Sequence, residues 1–223
     1  SKERKLGIWV RDNLQGLGTI TFLTRDSRFG ALWHGIHDVD TNGLVEIAKG
    51  SLYATNIRTL MKGRAGMPGS LEGIIVYNSF NRLGEIEKNT EAGIYGKLEK
   101  VDRLFEEEIA IEVAKKEEIC TGPAQIRCCI GDEICYYDVE ILDVDLTEKE
   151  VNKGMIVRVT DPKLLEETGG IIQGMSGSPI VQNGKLIGAV THVFVNHPEK
   201  GYGIFAETML EFSGENFAEN QTE

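Results

Sequence analysis

The hexapeptide Gly174–Pro179 (GMSGSP) sets a serine between two glycines and leads straight into an apolar run, Ile180–Val181. A hydroxyl presented on so tight a loop has open access to a carbonyl. Glycine has no Cβ, so the loop can turn successive backbone N–H groups the same way. The N–H groups of Gly174 and Ser176 are therefore the candidate donors to the oxyanion formed when Ser176 adds to a carbonyl. One such donor contributes about 3 kcal/mol in the transition state. The same composition also suits a plain surface turn, so the reading needs a second group.

A serine hydroxyl is a weak nucleophile and requires a base. The chain has four histidines. His34 ends an apolar run (Ala31–His34) and precedes Gly35, which suits a side chain aimed into a cleft. His37 lies in the polar loop that follows. His192 sits in an alternating run soon after Ser176, and His197 precedes Pro198 in a segment read as surface loop. His34 is the best candidate base. Of the carboxylates, Asp161 opens a segment (DPKLLEETG) with the marks of a short helix: Asp at the N-cap, Pro at the first helical position and Gly at the stop. Asp38 and Asp40 follow His34 closely and are rivals for orienting its imidazole.

These groups must be positioned by strands. Glycine is frequent (26) and proline scarce (5), and short apolar or alternating runs recur between turn signals. Strands are expected at 19–24, 29–33, 43–48, 51–55, 73–77, 108–114, 155–159, 180–182 and 185–193. A hairpin is expected from 125–130 and 134–144 around Gly131-Asp132. A glycine-rich loop spans Gly63–Gly73, and the tail 206–212 reads as helix. The expected class is all-β, a sandwich or barrel. The organisation read here is one domain over 1–213, with an internal boundary placed near residue 100. A polar tail follows at 214–223.

The chain has 223 residues, and 24 Lys and Arg against 35 Asp and Glu give a net charge of −11. That balance argues against a nucleic-acid partner, which needs a clustered positive surface. No run approaches the roughly 18 apolar residues of a membrane span. The chain opens at Ser1 with no basic and apolar leader, and reads as a trimmed or processed piece. Its four cysteines (Cys120, Cys128, Cys129, Cys135) do not form a CxxC pair, which disfavours structural zinc. Cys128 and Cys135 flank the Gly131-Asp132 turn and could bridge across a hairpin; otherwise the thiols act as small buried hydrophobes.

Three stretches together resemble the stage IV sporulation protein B (SpoIVB) peptidase family. They are Gly18–Phe22, Gly30–Thr41 (GALWHGIHDVDT) and Val159–Pro179, which continues through Ile180–Val195 and Gly201–Phe205. The resemblance implies a serine endopeptidase on a chymotrypsin-like double β-barrel. It makes Ser176 the nucleophile, His34 the general base and Asp161 the acidic member. No metal or organic cofactor is then needed. The family carries glycine where this chain has Trp33. Its members bear a membrane anchor and a PDZ domain ahead of the peptidase domain, so the chain reads as the peptidase domain alone. The resemblance also implies an extracytoplasmic site, between the membranes around a developing forespore. There the chain would cleave itself and a regulatory membrane protein, triggering maturation of a sigma factor. Alternatives from other classes are a catalytically idle protease-fold binding module, and an esterase or transferase using the same acyl chemistry. An open strand edge near Thr191–Val195, able to pair with an extended peptide, would favour the peptidase.

Overall fold

The computed structural model describes residues 17–32, 50–101, 110–130 and 133–214. The expected strand at 43–48, His34, His37, Asp38, Asp40 and the polar tail past Gly214 lie outside the described residues.

Alternating and apolar runs form the strands where a partner lies beside them. In the N-terminal half these are β1 (Thr19–Leu23), β2 (Arg28–Leu32), β3 (Gly50–Tyr53), β6 (Arg82–Thr90) and β7 (Gly93–Leu98). They make one antiparallel sheet in the order β1-β2-β7-β6-β3. A separate hairpin joins β4 (Thr55–Met61) to β5 (Ser70–Ile75). The C-terminal half holds β8 (Gly122–Ile130), β9 (Glu133–Val144), β10 (Met155–Val159), β11 (Pro179–Gln182), β12 (Lys185–Phe194) and β13 (His197–Phe205). These close into a barrel in the order β10-β13-β12-β11-β8-β9. Closure gives every strand of that half a partner on each side over at least part of its length. Only two α-helices occur among the described residues, α1 (Pro162–Thr168) and α2 (Ala206–Ser213). The expected all-β class holds.

The barrel core is aliphatic: Ile126, Ile141, Val157, Leu164 and Ile180 are completely or almost completely buried. Phe29, Ile86, Ile94 and Leu98 form a second core under the N-terminal sheet. A third cluster joins the halves, with Leu32, Ala92 and Tyr95 packed against Ala189, Ile204 and Met209. That seam matters for function, because β2 and β12 meet there.

Four strands lie outside the expected runs. In β4 (TNIRTLM) and β6 (RLGEIEKNT) polar residues occupy both faces, so no period of two is visible. The β6 charges are satisfied laterally instead: Arg82 pairs with Glu85 at 2.8 Å and with Glu99 at 2.6 Å. β7 (GIYGKL) is short and split by glycine, and β13 begins His197-Pro198, which reads as loop. Conversely, the alternation at 108–114 makes no strand over its described part, residues 110–114. Val113 forms a single bridge to Leu186, one residue into β12, where the partner strand is only beginning.

The β8–β9 register places Cys128 directly opposite Cys135, as the hairpin reading requires. All four thiols are free. Burial, reinforced by the neighbouring Cys129 and Cys135, pushes the Cys128 thiol up to about 12, so it behaves as an inert hydrophobe.

Candidate active site

Ser176 sits on the turn that feeds β11, and it is 6% exposed. The residues around it explain the burial. Met175 tucks into the barrel core at 1% exposure, and Ser178 is fully buried. Two glycines make the turn possible, with φ of 101° at Gly174 and 91° at Gly177. Both values lie in the region that side chains avoid.

The N-terminal sheet grips this turn by its carbonyls. Thr19 N donates to Ser176 O at 3.0 Å, Thr21 Oγ1 to Gly177 O at 2.8 Å, and Thr19 Oγ1 to Gly174 O at 3.4 Å. A Cβ on Gly177 would overlap the Thr19 carbonyl oxygen and come to 3.0 Å from Leu32 N. The end of β2 therefore abuts the turn carrying Ser176, and His34 is two residues further along the chain. From the other side, Gly177 N donates to Val190 O at 2.8 Å. The Ser176 hydroxyl itself donates to the Thr191 carbonyl at 2.8 Å, and Thr191 Oγ1 donates to Asn152 O at 2.7 Å.

Of the two expected oxyanion donors, Gly174 offers an N–H that no described group accepts. Pairing of β11 with β12 starts at Pro179 opposite Ala189, while β12 runs on to Phe194. The stretch Thr191–Phe194 thus extends past β11, next to Ser176, where an added strand was expected. At its far end Gly66 N donates to Val195 O at 2.8 Å.

Asp161 caps α1 as its sequence suggested. Its carboxylate accepts from Lys163 N at 2.9 Å and Leu164 N at 3.1 Å, and from Asp138 N on β9 at 3.3 Å. Its charge reaches Cys128 and Tyr137, and it helps, behind burial, to push the Tyr137 hydroxyl up to about 12. Among the described residues no bond joins Asp161 to Ser176. The route from one to the other is α1, whose αL stop at Gly169 leads into the Ser176 turn. Among the remaining histidines, His192 is exposed beside Thr191, and His197 is 64% exposed with Nδ1 3.3 Å from Glu199. Among the described residues no cluster of His, Cys, Asp or Glu could hold a metal ion, and no helix is long and apolar enough to cross a membrane.

The chain thus seats Ser176 on a glycine turn between a closed β-barrel and a second antiparallel sheet. It belongs to the SpoIVB peptidase S55 family, whose model matches residues 2–210. No curated protein sequence matches it. Eight solved chains do. One is the Rv3671c protease from M. tuberculosis in its active form, 14% identical, with a TM-score of 0.40 over 68% of this chain. The match spans 66% of that protein's chain.

The clamp on the turn from β1 escaped sequence reading. Thr19 and Thr21 carried a signal only as strand residues, and the residues they bond lie 155 and 156 positions away.

Proposed function

We propose that the chain hydrolyses peptide bonds through an acyl-enzyme, with Ser176 as nucleophile and His34 as general base. The observation that carries this reading is the abutment of Leu32 on Gly177. Two residues span at most about 7 Å, and this short tether to Leu32 is what supports His34 as the partner of Ser176. His34 takes the proton from Ser176 Oγ as Oγ bonds to the scissile carbonyl carbon. That proton must first swing away from the Thr191 carbonyl. The N–H groups of Gly174 and Ser176 hold the oxyanion. His34 then protonates the departing amine, and water reverses the sequence to free the acid.

Activity should therefore rise with pH through the ordinary imidazole range, near 6.5. The sign follows from the role: only the neutral ring accepts a proton, so activity is lost as pH falls. A kcat/KM profile between pH 5 and 8 tests this, and a flat profile removes His34 as base.

Asp161 enters as the acidic member on the family resemblance. Its three backbone donors favour a second reading, in which it acts on Ser176 through the helix it caps. Asp161→Asn separates the two, because an amide oxygen still caps α1. Activity within a few-fold of the parent is expected, while Asp161→Ala should lower stability by about 1 kcal/mol. A loss approaching 10⁴-fold in kcat for Asp161→Asn at unchanged Tm would instead make Asp161 the partner of the imidazole.

The same resemblance supports a place between the membranes around a forespore, with the chain itself and a regulatory membrane protein as substrates. Self-cleavage of the purified chain on storage, absent in Ser176→Ala, tests the first of these substrates. It also separates the peptidase from an idle binding module.

A further inference from the structure

Resting on the proposal that Gly174 N–H is an oxyanion donor, we infer that the β4–β5 hairpin sets the direction of that N–H. The residues Ile172–Met175 form a four-residue turn closed by Met175 N donating to Ile172 O at 3.1 Å. Gln173 and Gly174 are its central residues. A φ of 101° at Gly174 belongs to the type II form; in type I the same position sits near −90°. The two forms differ by a flip of the one peptide between the central residues. Here that peptide carries the Gln173 carbonyl and the Gly174 N–H.

The hairpin holds this peptide by its carbonyl. Leu71 N donates to Gln173 O at 2.8 Å, and Gln173 N donates to Gly69 O at 2.8 Å. The two bonds make a parallel bridge between Ser70 and Gln173. In a planar trans peptide the C=O and the following N–H point in opposite directions. With the Gln173 carbonyl drawn toward Leu71, the Gly174 N–H must face away from the hairpin, and no described group accepts it. Flipping the peptide would set an N–H against the Leu71 N–H and turn a carbonyl toward the substrate oxygen. The hole would then repel the charge it should hold.

The hairpin is itself anchored against drift. Gly63 N donates to Thr168 O and Gly66 N to Val195 O, both at 2.8 Å. There is no slack at the grip: a Cβ on Gly69 would overlap Met61 O and sit 2.5 Å from Gly63 N. A Cβ on Gly174 would lie 2.9 Å from the Leu71 Cβ. Leu71 is thus a positioning residue, acting through its backbone N–H and the Gln173 carbonyl on the donor in the Ser176 turn.

The test replaces Leu71 by its α-hydroxy acid, which turns the N–H into an ester oxygen and leaves the side chain in place. The full chain is assayed with p-nitrophenyl acetate, a small acyl donor that needs no extended subsite. The expected result is a fall in kcat of tenfold or more with KM within a few-fold, and a parallel loss of affinity for a boronic acid that mimics the oxyanion. Met67→Ala, in the same hairpin's exposed tip, should leave both unchanged. Gly69→Ala, which dislodges the grip sterically, should reproduce the kcat loss. If the Leu71 ester keeps full kcat while Ser176→Ala is inactive, the hairpin does not set the donor. If Ser176→Ala keeps the parent's activity, the nucleophile assignment itself has failed.

Discussion

Ser176→Ala should lower kcat by on the order of 10⁶-fold, to the level left by substrate binding and the oxyanion donors alone. It should also abolish labelling by a fluorophosphonate. The fold should survive, because the described bond of the hydroxyl goes to the Thr191 carbonyl and the methyl that replaces it fits the same space. The cost of that lost bond is about 1 kcal/mol. Activity and stability thus separate cleanly for this residue. Labelling that persists in the folded Ser176→Ala chain would identify another serine as the nucleophile. Mass spectrometry of the labelled peptide decides it.

Gly177→Ala should do the opposite and damage both. Its φ of 91° costs a side chain roughly 1–2 kcal/mol before any contact is counted. The added methyl then overlaps the Thr19 carbonyl oxygen and crowds Leu32 N, so β1 and β2 must retreat from the Ser176 turn. Their retreat breaks Thr19 N to Ser176 O and Thr21 Oγ1 to Gly177 O. The summed loss should be on the order of 4 kcal/mol, in the range reserved for identifiable steric damage. For a chain of this size that is a fall in Tm of roughly 10 °C. Activity should fall as well, since the same retreat carries the end of β2 away from Ser176. Thermal unfolding and a single kcat/KM measurement check both halves. A Tm within a few degrees of the parent would mean that the two halves are not seated on each other as described.

The parts of the site legible in the sequence were those written in glycine, proline and aspartate. Gly174 and Gly177 announced a turn around Ser176, and Asp161, Pro162 and Gly169 marked both ends of α1, because these residue types act locally on the backbone. The Gly131-Asp132 hairpin was legible for the same reason, and its register followed from it. What holds the site was not legible. The grip on the Ser176 turn comes from backbone and threonine groups on β1 and from the backbone of Gly69 and Leu71, whose partners lie about a hundred or more positions away in the sequence. Gly63–Gly73 read as a glycine-rich loop, but Ser70–Gly73 open β5, and nothing in the composition said that Leu71 would bond Gln173. Strands such as β4 and β6 were hidden because polar residues occupy both of their faces and break the alternation. Asp161 shows a further limit. One residue type served two readings, and the Asp161→Asn measurement is what separates a cap from a catalytic carboxylate.

The most direct measurement is a crystal structure of the chain with Ser176 phosphonylated, read for the separation of His34 Nε2 from Ser176 Oγ. A separation of about 2.6–3.2 Å is expected, the reach over which a base takes a hydroxyl proton. An imidazole resting well beyond one bridging water from that oxygen, with another base in its place, would contradict the mechanism.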